Sequence, residues 1–163
     1  MSRTFDRREA LGAAGLAAIA VTFIGAAGAS RPQRRFEVAH SDAEWRRLLG
    51  QGRYRILRQA GTERAGTSPL NKEHRRGTFV CAGCKLPLFS SATKFESGTG
   101  WPSFFRPLPK AVVTQSDSTL GMRRTEVLCA NCGAHLGHLF PDGPKPTGLR
   151  YCINSASLDL KEK

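Results

Sequence analysis

The spacing of apolar positions changes twice along the chain. From Ala10 to Ser30 there is no charged residue, and Gly12, Gly15, Gly25 and Gly28 interrupt the apolar run. From Ser41 the pattern becomes helical. Ser41-Asp42-Ala43-Glu44 has the form of a capping box, a hydroxyl at the N-cap and a carboxylate three residues on. Trp45, Leu48 and Leu49 share one helical face, and Gly50 suits the position just past a helix end. Tyr54 to Gln59 predicts a second short helix, stopped by Gly61, and residues 61–76 are loop-like. After Gly77 the segments shorten and turn β-prone: Thr78-Phe79-Val80, Pro87-Leu88-Phe89, Ala111 to Thr114, Thr125 to Leu128, and His135 to Phe140. Turn-forming glycine, proline and serine separate most of them. The pattern predicts a mainly β fold, with two short N-terminal helices packed on an antiparallel core.

The charge-free run changes the domain count. Arg7-Arg8 precedes it and Ala27-Gly28-Ala29 closes it, the small-x-small pattern of a cleavage site. Residues 1–29 thus read as a signal peptide resembling the twin-arginine type, residues 30–40 as a linker, and 41–163 as one domain. Export to the periplasm is the expectation. A leader that stays uncleaved would instead anchor the chain, since the run has just enough residues to span a bilayer. Cleavage leaves 134 residues, enough for one core. Those carry 22 basic and 11 acidic residues. So basic a domain invites a nucleic-acid reading. The basic residues come in scattered pairs, however, such as Arg46-Arg47, Arg75-Arg76 and Arg123-Arg124, and no run forms a basic tail. A solvated basic surface without a nucleic-acid partner is the better reading.

The five cysteines divide four and one. Cys81 and Cys84 form one Cys-x-x-Cys turn, and Cys129 and Cys132 another. Gly83, Asn131 and Gly133 tolerate the left-handed backbone that lets thiolates converge. Four thiolates at ~2.3 Å make a closed structural zinc site with no open position. The 44 residues between Cys84 and Cys129 are long for a zinc ribbon, so the metal would clip distant hairpins together. Disulfides or a redox dithiol are the alternatives for an exported chain.

Cys152 is left over. Arg150 and Asn154 lie two residues to either side, and an extended segment would put all three side chains on one face. A guanidinium there would favour the thiolate. Asn154 offers a hydrogen bond to sulfur or substrate. His135 and His138 lie within eighteen residues upstream. They are three apart and would face opposite ways on a regular strand, unless Gly137 bends it. Histidine supplies or takes a proton near neutral pH, and Asp142 is placed to orient a histidine or a water. Each residue singly is as ordinary as a buried core group; together they read as a reactive thiol site.

These residues resemble the methionine-R-sulfoxide reductases, the B-type methionine sulfoxide reductases, which handle one sulfoxide epimer. The likeness runs from about Trp45 to Leu158. It rests on Ser68-Pro69-Leu70-Asn71, Gly100-Trp101-Pro102-Ser103-Phe104, Arg124-Thr125-Glu126, His135-Leu136-Gly137-His138, and Arg150 to Leu158. The resemblance implies a β-tent-like fold of two antiparallel sheets with structural zinc on Cys81, Cys84, Cys129 and Cys132. It implies Cys152 as the nucleophile, oxidised to a sulfenic acid as methionine leaves. His135 and His138 match active-site histidines, one of them the proton donor, and Asp142, Arg150 and Asn154 match residues that polarise or orient the site. Trp101 matches the aromatic that holds the substrate methyl group, and Phe104 is placed with it in the substrate pocket. Oxidised proteins or peptides and a thioredoxin-like or other thiol reductant are the implied partners of a monomer.

One position departs from the family. Where many members carry a resolving cysteine, the turn here reads Ser97-Gly98-Thr99-Gly100-Trp101. Thr99 forms no disulfide, so the expectation is a one-cysteine cycle completed by an external thiol. The rivals are a zinc-stabilised binding module with a basic surface, and a dithiol oxidoreductase working through a Cys-x-x-Cys pair.

Overall fold

A computed structural model of the protein describes residues 34–118 and 121–163. The expected leader, residues 1–29, lies outside them, as do residues 30–33. The described part of the expected linker is docked rather than free. The Val38 N–H donates to the Asn131 carbonyl at 3.0 Å, and the Phe36 ring takes the space a side chain at Gly133 would need. The chain is thereby tied to the second cysteine turn just ahead of the helix that starts at Asp42.

The capping box forms as the sequence predicts: Ser41 Oγ accepts the Glu44 N–H at 3.3 Å, and Glu44 Oε2 accepts the Ser41 N–H at 2.8 Å. It opens the span α1 (Asp42–Gln59), in which two helical runs meet at a kink, in keeping with the two helices expected. Gly50 alone leaves helical geometry, at φ 68°, a conformation glycine takes at little cost. It divides the first helical run from the second, the boundary the sequence predicts. The stop is Ala60, left-handed at φ 50°, one residue before the expected Gly61. Trp45, Tyr54, Ile56 and Leu57 turn to the core. Leu48 does not, being 56% exposed. Leu49, four residues from Trp45, stays on its stripe, while Leu48 falls to the stripe's far edge.

Beyond the helix the described residues form nine strands: β1 (Gly77–Cys81), β2 (Pro87–Ser90), β3 (Lys94–Phe95), β4 (Ser103–Phe104), β5 (Val112–Asp117), β6 (Arg124–Cys129), β7 (His135–Phe140), β8 (Arg150–Ile153) and β9 (Leu158–Glu162). They make two antiparallel sheets, β2-β1-β9 and β3-β4-β8-β7-β6-β5. An aromatic joint connects the sheets. Phe104 of β4 stacks on Phe89 of β2 with ring centroids 4.4 Å apart, and meets Phe79 of β1 edge-on at 5.0 Å. Arg53 of α1 pairs with Asp159 of β9 at 2.6 Å, and Arg58 donates to the Cys132 carbonyl at 3.0 Å. The helix thus braces the small sheet and the second cysteine turn together. Among the described residues no helix is long and apolar enough to cross a membrane.

Candidate active site

Cys152 sits in β8, in register with Ser103 of β4 on one side and His138 of β7 on the other. The extended segment expected around it is present. The two histidines also come together, through a device the sequence pattern did not specify. Leu128 of β6 faces His135, but its neighbour Val127 faces Gly137, so Leu136 is an extra residue on β7. One inserted residue inverts the alternation of a strand. His135 and His138 therefore share a side, with ring centroids 5.5 Å apart. Gly137 has a separate task. A Cβ there would lie 2.0 Å from the Cys152 carbonyl oxygen. Only glycine lets β8 approach β7 closely enough at the thiol.

Each histidine is held by a carboxylate from the β5–β6 hairpin. His135, 3% exposed, places Nδ1 2.6 Å from Glu126 Oε1. His138 places Nε2 2.8 Å from Asp117 Oδ2, which also accepts from Arg124 at 2.7 Å. Burial pushes the His138 imidazole below its ordinary value, against the pull of Asp117. Glu126 is raised by burial, yet its bonds to His135 and Gln115 hold it below the usual carboxylate range.

A cavity of about 140 Å³ opens on Cys152. The rings of Trp101 and Phe140 line it together with Arg124, His138, Asn154, Gly137 and Thr62. A larger cavity, about 590 Å³, lies against the same Trp101 but has no thiol in its wall. The chemistry therefore belongs to the smaller one. Burial pushes the Cys152 thiol up; the Thr99 hydroxyl, the Arg150 charge and Ser103 act in the opposite direction without cancelling it. Thr99 Oγ1 lies 3.8 Å from Cys152 Sγ and is itself held by Ser97 at 2.8 Å.

Several expected roles shift. Arg150 favours the thiolate as expected, but its leading partner is Asp142. It grips Asp142 with two parallel bonds of 2.8 Å and lies over the Phe140 ring at 4.4 Å. Asp142, held low by that Arg150 pair, orients the guanidinium rather than a histidine. Asn154 does not reach the sulfur with its amide. Its Oδ1 accepts the Glu63 N–H at 3.2 Å and its Nδ2 donates to the Leu136 carbonyl at 3.2 Å. Phe104 is 0% exposed in the aromatic joint and has no surface to offer a substrate. Asp117, Glu126, Glu63 and Phe140 carry no assigned role in the sequence. They reach the site across strand pairings that local spacing does not encode.

The four paired cysteines meet at one point, with all Sγ atoms within 4.8 Å of one another. The short contacts cross between the turns: Cys81 to Cys132 at 3.8 Å and Cys84 to Cys129 at 3.5 Å. A tetrahedron of ~2.3 Å metal–sulfur bonds has edges of about 3.8 Å. The cluster fits a closed four-thiolate centre and not two separate Cys-x-x-Cys redox pairs. Of the expected left-handed turn residues only Gly133 is so, at φ 68°; in the first turn Lys85 takes that place at φ 64°.

A single thiol in a half-apolar, half-polar pocket beside carboxylate-held histidines is a site for nucleophilic sulfur chemistry on a small group. The SelR domain matches residues 49–162, and the chain belongs to that family. A protein of Leptospira interrogans named peptide methionine sulfoxide reductase MsrB is 58% identical, over 78% of this chain and 98% of its own length. Proteins of the same name from Thiobacillus denitrificans and Agrobacterium fabrum are 58% and 57% identical, over 76% and 75% of this chain and 94% and 91% of their own.

Proposed function

We infer that the protein is a peptide methionine-R-sulfoxide reductase that draws its electrons from an external thiol. The observation that carries this reading is Cys152 at the wall of a pocket with two kinds of surface. A sulfoxide presents an apolar methyl beside a polar oxygen. Trp101 and Phe140 suit the first; His138, Arg124 and Asn154 suit the second.

Burial keeps both the thiol and the imidazole neutral at rest. His138 takes the thiol proton as Cys152 attacks the sulfoxide sulfur, and Asp117 stabilises the imidazolium formed. The proton then passes to the sulfoxide oxygen, which bonds to Cys152 as both its bond to the substrate sulfur and the transient sulfur–sulfur bond break. The substrate sulfur gains two electrons and leaves as methionine; Cys152 loses two and becomes a sulfenic acid. An external thiol attacks that sulfur, water departs, and a second thiol releases Cys152. Thr99 stands beside the sulfur with no thiol to offer, which supports a one-cysteine cycle.

Zinc is the metal proposed for Cys81, Cys84, Cys129 and Cys132, because four thiolates in a tetrahedral cluster are its preferred structural set. It would supply rigidity and no reactive position. Export through residues 1–29 and action as a monomer belong to the same proposal; the intact mass of the protein recovered from the periplasm tests the first. The function itself is tested by supplying the separated sulfoxide epimers with dithiothreitol. Turnover of the R epimer, lost in Cys152→Ser, is the expected result. Turnover that survives Cys152→Ser would return the question to the dithiol reading, and a wild type with no turnover of either epimer would return it to the binding module.

A further inference from the structure

We propose that Glu63 is a positioning residue that sets the substrate pocket from outside it. Glu63 lies in the loop of residues 60–68, which has no helix or strand of its own. Four bonds nevertheless converge on this one residue. Its carboxylate accepts the Ser155 N–H at 2.6 Å on one oxygen and the Ala156 N–H at 2.9 Å on the other. Its own N–H donates to Asn154 Oδ1 at 3.2 Å, and its carbonyl accepts the Trp101 indole N–H at 3.2 Å. Two of the four partners, Asn154 and Trp101, line the cavity over Cys152, and so does the preceding residue, Thr62.

The geometry makes the loop a clamp. The side chain fixes the loop to the segment leaving the catalytic strand, through charge-assisted bonds that are stronger than neutral ones. The main chain then holds the pocket's indole and its amide. Gly66 adds a neighbouring tether, its N–H donating to the Gly100 carbonyl at 2.8 Å, next to Trp101. Glu63 touches neither the sulfur nor the substrate, so it acts on where the sulfoxide sits rather than on its reduction. This inference rests on the reading of the cavity as a methionine sulfoxide pocket.

The test is Glu63→Gln, which keeps the shape but turns one acceptor into a donor facing a backbone N–H. For the R-sulfoxide, KM is expected to rise about tenfold, on the scale of one lost charged hydrogen bond, with kcat within about twofold. Two further readouts need no turnover. The chain has two tryptophans, and Trp45 is 1% exposed. A red shift of emission and easier acrylamide quenching would therefore report release of Trp101. The alkylation rate of Cys152 should stay unchanged. Glu63→Asp keeps the charge with a shorter reach and should fall between; it carries the same readouts if Glu63→Gln does not fold. Unchanged KM with unchanged emission overturns the proposal, and so does a fall in kcat at constant KM. If the wild type reduces no sulfoxide, the functional reading fails while the emission and quenching experiment still decides the clamp.

Discussion

At the residue scale the central balance is that of Cys152. The same burial that shapes its pocket penalises the thiolate, and the Thr99 hydroxyl is the leading opposing contact. A raised thiol value means less thiolate at any given pH, and reactivity that climbs later as pH rises. Iodoacetamide labelling of Cys152 should have its midpoint above the ordinary thiol range. Thr99→Val, which removes the hydroxyl at constant shape, should move it higher still and slow labelling at pH 8. A midpoint unchanged by Thr99→Val would show that the hydroxyl does not act on the sulfur. The same 3.8 Å contact gives a second expectation. Thr99→Cys puts a thiol within reach of the Cys152 sulfenic acid. One equivalent of sulfoxide without reductant should then leave an intramolecular disulfide, read as a two-dalton mass loss, where the wild type carries one added oxygen.

At the element scale the site depends on how β7 meets its neighbours. The strand itself is legible from its β-prone run, and the shared face of Arg150, Cys152 and Asn154 from simple alternation. The bulge at Leu136 is not, because it is a property of the pairing with β6 and appears in neither strand alone. For the same reason the carboxylate partners of the histidines are hidden: Asp117 and Glu126 are set by cross-strand register. Strands β3 and β4 have two residues each, too few to show a period, and the Leu-Asp-Leu alternation of β9 is too brief to stand out. Gly137 provides the test. Gly137→Ala drives a methyl into the Cys152 carbonyl, and overpacking of this kind costs about 1–3 kcal/mol. Thermal melting should drop accordingly, and R-sulfoxide turnover should fall by more than tenfold as the β7–β8 register yields at the thiol. Near wild-type values of both would mean that the strands have room to spare.

At the scale of the whole molecule, the cysteine cluster and the aromatic joint do related work. Cys81 ends β1 in the small sheet, and Cys129 ends β6 in the large one. Phe104, Phe79 and Phe89 lock the same two sheets through packing. The four-plus-one division of the cysteines is readable from spacing; that the cluster bridges the sheets is not, since it depends on where 44 intervening residues fold. Two consequences separate the cluster from the reactive thiol. Elemental analysis should find one zinc per chain, retained in Cys152→Ser. Cys129→Ser, or extraction with a strong chelator, should lower the melting temperature by roughly 10 °C or more, because a loss of only ~3 kcal/mol has that effect in a domain of this size. Cys152→Ser should melt as the wild type does, since its sulfur takes no part in joining the sheets. If chelation left melting unchanged while turnover disappeared, the cluster would belong to the chemistry and the closed four-thiolate reading would fail.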